Sequence, residues 1–432
     1  MALKQACHDN VFCQLCSLAR TITRMELILY AIPFFFLLIL LEFGYGLLRG
    51  RNTYRLNDTI NSLSLGSLSR LQSLVILGLS GTVYELIVAR LQLAQLPASA
   101  SWVWISCFVL YDLVYYWKHR LGHEVAMFWG AHVAHHQSED FNLGTALRQT
   151  SMDFYSVLFY LPFFLLGYPA EVLFAVVSLN LIYQFWVHTE HVPKLGPLEW
   201  VLVTPSNHRV HHARNSIYVD RNYGGVFIIW DRIFGSFQEE LNNEAVVFGL
   251  RKPLKSWNPL WANVHVYWRM LKDSLRTPGF MNKLKVWVMP PGWTAPGIKT
   301  SCKLQSEEID LTVKYDPPLS AFARAYVLLQ FLLTVGLSLY MLLNSTEYDY
   351  ASNFIAVSFL TYCFFVHGLW LEGNVSAHWH EAIRLGLLLL LIQLSQLTEY
   401  AQLLLSSVCA AALLGIGAVI VRRITPQPAI DT

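Results

Sequence analysis

The sequence predicts an all-α protein, a polytopic membrane helical bundle with a cytosolic, histidine-rich cap that binds two metal ions. Three observations support this prediction. Of the 432 residues, 54% are hydrophobic and only 14% are charged, whereas about a quarter of the residues in a typical soluble domain are charged. Several apolar stretches approach the roughly 20 residues that a membrane-spanning helix needs. Ten of the fifteen histidines lie between His119 and His212.

Nine stretches are apolar enough to be predicted as membrane-spanning helices. The fourth stretch is short and contains Pro162, and it meets the fifth through Gly167-Tyr168-Pro169, so this pair is expected to form a hairpin that crosses only in part. The nine stretches are Leu27–Leu48, Leu71–Leu93, Ser101–Trp117, Phe154–Gly167, Glu171–Val187, Ala323–Leu343, Phe354–Leu371, Ala382–Leu397 and Ala401–Val421.

The polar segment between Val187 and Ala323 is too long for a connector and is rich in Trp, Lys and Arg, so we predict a cytosolic cap. Met25 directly precedes the first apolar stretch, which leaves Met1 and Met25 as alternative starts. The predicted organisation is an N-terminal tail (1–26), a membrane-embedded catalytic domain (27–290), a linker (291–322), a C-terminal transmembrane bundle (323–421) and a cytosolic tail (422–432).

Basic residues in short flanks indicate which ends of the spans face the cytosol. With nine spans, the basic flanks after the first, third and ninth all fall on one side; they are Arg49, Arg51, Arg55, Lys118, Arg120, Arg422 and Arg423. The opposite side has the smaller set Lys4, Arg20 and Arg24. We therefore expect a multi-pass protein of the endoplasmic reticulum, if eukaryotic, or of the cytoplasmic membrane, if bacterial, with its active site facing the cytosol.

Charge and cysteine content argue against a nucleic-acid-binding protein, a disulfide-stabilised protein and a cysteine-bound zinc site. The net charge of +2 is too weak to indicate a nucleic-acid partner. The seven cysteines are scattered and odd in number, which fits no disulfide framework. Cys13 and Cys16 form a lone CxxC without the second pair that a zinc site needs.

The clustered histidines form four ordered boxes, and residues three or four apart share one face of a helix. Imidazole is a good ligand for iron, zinc and copper. Ten imidazoles are more than one ion can coordinate, whereas two ions could bind about five each. The other five histidines, His8, His265, His367, His378 and His380, do not join the pattern. The boxes contain His119 and His123; His132, His135 and His136; His188 and His191; and His208, His211 and His212.

The position of the boxes also favours a functional site. His119 follows Tyr115-Tyr116-Trp117, and His188 follows Phe185-Trp186-Val187. Because Trp and Tyr mark the membrane interface, both helices are predicted to present histidine at one depth, just beyond the bilayer. A zinc protease would need His-Glu-x-x-His, and His119-Arg120-Leu121-Gly122-His123 lacks that glutamate. A site that hydroxylates an unactivated C–H bond needs a redox-active metal. Iron meets this need and zinc does not.

These boxes resemble those of the fatty acid hydroxylase/sterol desaturase superfamily, and within it the ether-lipid-cleaving alkylglycerol monooxygenase family. The stretches that carry the resemblance are KHRLGHEVAMFWGAHVAHHQSEDFNLGTALRQT, YQFWVHTEHVPKLGPLEWVLVTPSNHRVHH and NYGGVFIIWDRIFGSF. The resemblance extends over roughly residues 27–290, and the late helical bundle is similar as well. It implies that all ten clustered histidines are iron ligands, although some relatives have an aliphatic residue at the position of His191. Asn207 departs from the pattern, in which histidine precedes the last box, and is either a hydrogen-bond partner of a ligand or a tolerated change.

The resemblance also implies a reaction and its partners. Two iron ions would activate O2 to hydroxylate the carbon next to the ether oxygen of a membrane lipid, and the hemiacetal would collapse to a fatty aldehyde and a glycerol derivative. An external electron donor is required, which is tetrahydrobiopterin in this family and cytochrome b5 or a ferredoxin in related hydroxylases. Two alternatives remain open: a sterol, carotenoid or fatty acyl hydroxylase or desaturase, and, more distantly, a membrane metal transporter. Transport sites lie near the bilayer midplane, whereas these histidines lie at helix ends.

Polar neighbours of the boxes are candidates for orienting the ligands. A carboxylate that fixes a ligating imidazole is common at metal sites, and solvated loop charges are equally common. The candidates are Glu139, Asp140, Asn142, Arg148 and Asp231.

Overall fold

The computed structural model describes residues 27–297, 313–394 and 399–424. Over these ranges the chain is helical, with fifteen α-helices, three short 3-10 helices and two isolated β-bridges. The first nine helices are α1 (Leu27–Leu48), α2 (Leu56–Leu91), α3 (Ser101–Glu124), α4 (Ala126–His132), α5 (Leu143–Ala146), α6 (Ser156–Leu166), α7 (Ala170–Trp186), α8 (Pro205–His211) and α9 (Ile229–Phe234). The remaining six are α10 (Pro259–Arg276), α11 (Phe280–Val288), α12 (Ala321–Asn344), α13 (Tyr350–Leu371), α14 (Ala377–Leu394) and α15 (Glu399–Ile424).

Three helices in the described ranges are long and apolar enough to cross a membrane: Tyr30–Leu48 within α1, Ala321–Glu347, which includes α12, and α13. Of the other predicted spans, several fall on helices that are shorter or more polar. Ala401–Val421 falls on the 26-residue helix α15, and Ala382–Leu397 extends beyond the described residues. Helices α6 and α7 have 11 and 17 residues, and α3 carries Lys118 and Arg120 in its last turns. The nine-span topology and the domain limits remain predictions.

Helix α2 begins at Leu56, well before the predicted start at Leu71. Its first turns are polar, and Asn57, Asp58 and Asn61 are nevertheless buried. Asp58 accepts a hydrogen bond from Ser138, 2.6 Å away. A hydropathy pattern cannot detect such a segment, because its burial is stabilised by polar contacts with distant residues rather than by apolar area.

Two glycines allow close contacts around the helices that carry histidine. Gly66 of α2 lies so close to the carbonyl oxygen of Leu147 that a Cβ atom would be 2.2 Å from it. Gly167 ends α6 with a φ of +95° and lies equally close to the carbonyl oxygen of Ala94. A side chain would be strained at Gly167 and would clash at both positions.

The late helices pack against the N-terminal part of the chain. Helices α12 and α13 both contact α2, and α14 lies between α13 and α15. Glu372, just after α13, accepts hydrogen bonds from Ser256 and from the backbone N–H of Trp257. Helices α3 and α1 both pack on α7, and these contacts assemble the segments that carry the histidines.

Candidate metal centre

Nine of the ten clustered histidines meet in two groups in which one ring nitrogen of each lies within 4.8 Å of all the others. One group has five members and the other has four, and nearly all of these side chains are buried. The five-histidine group consists of His119, His123, His132, His136 and His211, and the four-histidine group consists of His135, His188, His208 and His212.

Each group collects histidines from separate parts of the chain. His119 and His123 lie one turn apart on α3, and His132 ends α4. His188 follows the C-terminus of α7. Neighbouring residues join different groups, because His135 and His136 occupy a 3-10 helix that turns their side chains apart. His211 and His212 at the end of α8 are divided between the groups in the same way, while His208 lies on α8 itself.

The Nε2 atoms within each group have the spacing of ligands around a common centre. Six Nε2–Nε2 distances lie between 2.9 and 3.3 Å. Two nitrogens bound at about 2.1 Å and at right angles would be separated by about 3.0 Å. The side chains therefore fit a metal ion in each group.

Backbone carbonyls fix the orientation of four of these rings. His135 donates from Nδ1 to the carbonyl oxygen of Arg148, and His188 donates to that of Gln184. His119 and His211 donate in the same way to Tyr223 and Arg221, and the four distances lie between 2.8 and 3.0 Å. Since a carbonyl can only accept, Nδ1 carries the hydrogen in each ring and Nε2 is left with a lone pair. Such contacts are the usual means of orienting a metal-ligating imidazole.

This tautomer creates a conflict that a cation resolves. His135 and His188 both hold their hydrogen on Nδ1, yet their Nε2 atoms are 3.3 Å apart. Neither Nε2 can donate to the other when both rings are neutral. In addition, Nε2 of His123 is buried and has no hydrogen-bond partner among the described residues. Buried polar atoms are normally satisfied. One metal ion in each group would satisfy all three Nε2 atoms, since His123 belongs to one group and His135 and His188 belong to the other.

Burial keeps these imidazoles in the form that binds metal. The pKa of His135 is lowered from its ordinary value of 6.5 to about 4, chiefly by burial and to a smaller extent by the positive charge of Arg148. The pKa values of His188, His208 and His212 are also well below the ordinary value, chiefly through burial and then through neighbouring histidines. Neutral imidazole is the ligating form, so the groups are ready to bind metal at neutral pH.

His191, the tenth predicted ligand, lies outside both groups. Its ring packs edge-on against Tyr45 of α1, with the ring centroids 5.2 Å apart. It borders a separate polar cavity with Arg51 and Glu190. The box spacing did not reveal this, because His191 lies beyond the end of α7 in an irregular segment that turns away from His188.

Asn207 contacts the backbone that carries the last box. Its Oδ1 accepts hydrogen bonds from both the N–H and the hydroxyl of Thr204, at 3.1 and 3.2 Å. Asn222 in turn donates to the carbonyl of Asn207. These contacts cap the N-terminus of α8, so Asn207 supports the helix that carries His208 and His211.

The five polar neighbours have different partners, and none of their side chains has a described hydrogen bond to a clustered imidazole. Asp140 pairs with Arg55 and Lys314, and Glu139 accepts from the backbone N–H of Tyr315. Asn142 caps α5 and also donates to Thr53. These three side chains hold loops rather than ligands.

Arg148 and Asp231 hold the backbone that orients ligands. The buried guanidinium of Arg148 donates to Ala134, Ser62 and Gln137, and the carbonyl of Arg148 receives the Nδ1 hydrogen of His135. Asp231 accepts from the backbone N–H groups of Tyr223 and Gly224, each at 2.7 Å. The Tyr223 carbonyl accepts the Nδ1 hydrogen of His119. Asp231 therefore positions His119 indirectly, through the backbone of Tyr223.

Two buried acids were missed by sequence reasoning. Asp112 of α3 accepts from the backbone of Val226 and Phe227 and from the indole of Trp230, so it holds the loop that follows Tyr223. Glu42 of α1 accepts from Thr189, next to His188, and from Leu143. A lone acid within an apolar stretch was the available signal, since ionisable residues in such helices usually have a specific partner.

A cavity of about 530 Å³ reaches the metal centre from the apolar helices. Four histidines of the two groups contribute to its lining: His119, His132, His135 and His188. Most of the other lining residues are apolar, and they include Phe35 and Phe36 of α1 and Leu339 and Leu342 of α12. This arrangement gives a long apolar molecule access to both groups of histidines.

Comparison with known proteins agrees with this geometry. The fatty acid hydroxylase family model matches residues 104–236, which contain all nine grouped histidines. The chain is 38% identical to human (Homo sapiens) alkylglycerol monooxygenase over 372 residues, or 85% of this chain and 82% of the relative. It is 37% identical to the Danio rerio alkylglycerol monooxygenase over 84% of this chain and 81% of the relative.

The chain belongs to the alkylglycerol monooxygenase family. It is an oxidoreductase, an O2-dependent monooxygenase that hydroxylates lipid and is embedded in the membrane. A shorter match covers 30% of the chain, which is 30% identical there to the ornithine lipid hydroxylase OlsE of Rhizobium tropici. No solved structure was found to match the chain. The predicted superfamily, fold class and enzyme class are confirmed.

Proposed function

We propose that this chain cleaves the ether bond of an O-alkylglycerol, using two iron ions held by the nine grouped histidines. The observation that carries the proposal is the cavity, which joins an apolar passage along α1 and α12 to His119, His132, His135 and His188. A lipid with a single alkyl chain fits such a passage. The relatives that match most of the chain bear the name alkylglycerol monooxygenase.

When bound, the iron ions supply the activation of O2 that insertion into a C–H bond needs. The reaction consumes one O2, two electrons and two protons. One oxygen atom enters the carbon next to the ether oxygen and the other leaves as water. The hemiacetal then loses the glycerol as an alcohol and becomes a fatty aldehyde, so the bond between that carbon and the ether oxygen breaks.

The protein's part is to orient the ligands and to exclude water. Backbone carbonyls hold the rings of His119, His135, His188 and His211 with their lone pairs turned into the groups. The apolar walls of the cavity exclude water from the alkyl chain. Such fixed ligand geometry and a dry cavity are the contributions that proteins make to metal-dependent oxidation.

We further propose that the two electrons come from an external donor, tetrahydrobiopterin, and that the metal centre faces the cytosol. Support for the orientation comes from the basic flanks beside the apolar segments. Support for the donor is the family relationship. Proteins of the sterol- and fatty acyl-hydroxylating branches are similar over a smaller part of the chain, and a methylsterol monooxygenase of Rattus norvegicus matches 31% of it.

The test is an assay with 18O2. Purified full-length protein, iron, tetrahydrobiopterin and an alkylglycerol should yield fatty aldehyde whose oxygen comes from O2, trapped by reduction before it exchanges with water. His135→Ala should abolish the product, whereas His191→Ala is the matched control and should retain it. Oxidation of a sterol or fatty acyl chain with a ferredoxin or cytochrome b5 donor, and no aldehyde from the ether lipid, would overturn the substrate assignment.

A further inference from the structure

The cavity that reaches the metal centre also has a polar corner in its lining. Lys118 and Asp153 line it and form an ion pair, with Nζ 2.7 Å from Oδ2. Ser156 donates to the same carboxylate oxygen, 2.5 Å away. Ser151 and Thr150, two and three residues before Asp153 in the chain, also line the cavity. Charged and hydroxyl side chains thus occur together in a lining that is mostly apolar.

Two oxygen atoms in this corner lack partners. Oδ1 of Asp153 and Oγ of Ser151 are buried, and neither has a hydrogen-bond partner among the described residues. By contrast, Thr150 donates to Asn263 at 3.0 Å, and the backbone N–H of Ser151 donates to the same oxygen. Buried polar atoms are normally satisfied, so two unpaired oxygens beside one cavity indicate a ligand that supplies hydrogen-bond donors.

We propose that Asp153 and Ser151, held by Lys118, form a subsite that binds the free hydroxyl groups of the lipid's polar head. This inference rests on the proposed function and extends it, since it names the part of the substrate that the enzyme recognises. A hydroxyl can donate to the carboxylate oxygen of Asp153 and accept from the hydroxyl of Ser151. Lys118 holds the carboxylate in position from the opposite oxygen.

The charges of the corner favour a neutral head over a phosphate. The ammonium of Lys118 is already paired with Asp153, and the unpaired atom is a carboxylate oxygen, which repels an anion. Arg70 is the other cationic residue in the cavity lining, and it is engaged in an interaction within the protein. The corner therefore offers acceptors rather than free positive charge.

The position of the corner also suits the reaction. Lys118 immediately precedes His119 on α3, and both line the cavity. In an alkylglycerol, the carbon beside the ether oxygen is only a few bonds from the free hydroxyls. A head bound at Asp153 would hold that carbon close to the histidines, while the alkyl chain extends toward Phe36 and Leu342. The subsite would thus select the carbon that is oxidised.

Equilibrium binding tests the subsite without turnover. Full-length protein in detergent, with oxygen and reductant excluded, is titrated with three labelled lipids of equal chain length: an alkylglycerol, its di-O-methyl analogue and its phosphate ester. The wild type should bind the diol about tenfold or more tightly than the dimethyl analogue, because a hydrogen bond to a charged group is lost. In the double variant Lys118→Met/Asp153→Leu, which leaves no unpaired buried charge, the two affinities should become equal within about threefold.

Ser338→Ala is the matched control. Ser338 also lines the cavity, but its hydroxyl donates to the carbonyl of Thr334, so its loss should leave the preference unchanged. Equal binding of diol and dimethyl analogue by the wild type, an equal loss for both lipids in the double variant, or tightest binding of the phosphate ester would overturn the subsite. Iron content checks that each variant is folded. Selective binding of the diol without aldehyde release in the 18O2 assay would instead overturn the proposed function and leave the subsite standing.

Discussion

The Nε2 atoms of His135 and His188 lie 3.3 Å apart, although each ring donates its Nδ1 hydrogen to a backbone carbonyl. Two lone pairs that face each other at this distance repel, and a cation between them turns the repulsion into attraction. His188 also lies 2.9 Å from His208 by the same pair of atoms. The four-histidine group is therefore the part of the centre whose geometry most strongly requires a metal.

Removal of the grouped histidine His135 should therefore reduce metal content, whereas removal of His191, which lies outside both groups, should not. We expect His135→Ala to lose metal from the four-histidine group and to lose activity by at least a hundredfold, because each member completes the coordination of one ion. His191→Ala should keep the wild-type metal content. Metal analysis of the two purified proteins is the measurement, and equal metal content in both would contradict the assignment.

Asp231 provides a test of indirect positioning. Its carboxylate holds the backbone of Tyr223 and Gly224, and the Tyr223 carbonyl orients His119. We expect Asp231→Ala to lower metal affinity by about 10–100-fold and Asp231→Asn to restore part of it. A competition titration with a chelator measures the affinity, and a lower thermal stability with unchanged affinity would show a purely structural role.

Acidification should destabilise the metal-free protein. Burial lowers the pKa of His135 from 6.5 to about 4, so the unfolded chain takes up a proton at a higher pH than the folded one does. Stability that is present above pH 6.5 is therefore lost as the pH falls toward 4, by roughly 3 kcal/mol for this residue alone. Thermal unfolding of metal-free protein between these pH values measures the loss. A midpoint that rises on acidification would contradict the buried, neutral state.

The wall formed by α12 should limit the length of the alkyl chain. Leu342 lines the cavity, whereas Leu337 of the same helix is about half exposed and does not. Leu342→Trp should reduce kcat/KM for long-chain alkylglycerols by about tenfold and affect short chains less, since overpacking costs about 1–3 kcal/mol. Leu337→Trp is the control. Equal losses for all chain lengths, with full metal content, would show that the chain does not pass α12.

Local patterns made much of the centre predictable, and tertiary structure decided the rest. Spacings of three and four residues gave the boxes, because helical periodicity is encoded locally. The division into groups of five and four could not be predicted, since His135 and His136 are adjacent in the chain and join different groups. Likewise, α1 has the predicted bounds, whereas α2 extends fifteen residues further toward the N-terminus because Asp58 finds its partner, Ser138, eighty residues away. The polar corner at Asp153 depends on a fold that hydropathy does not specify.

The most direct test of the central claim is the number and kind of metal ions in the full-length protein. We predict two iron ions per chain after anaerobic purification, measured by elemental analysis against amino-acid quantification, and about one ion after His188→Ala removes a member of the four-histidine group. Full lipid-oxidising activity in an iron-free, zinc-loaded preparation, or a wild-type protein that saturates at one ion per chain, would contradict the two-iron centre.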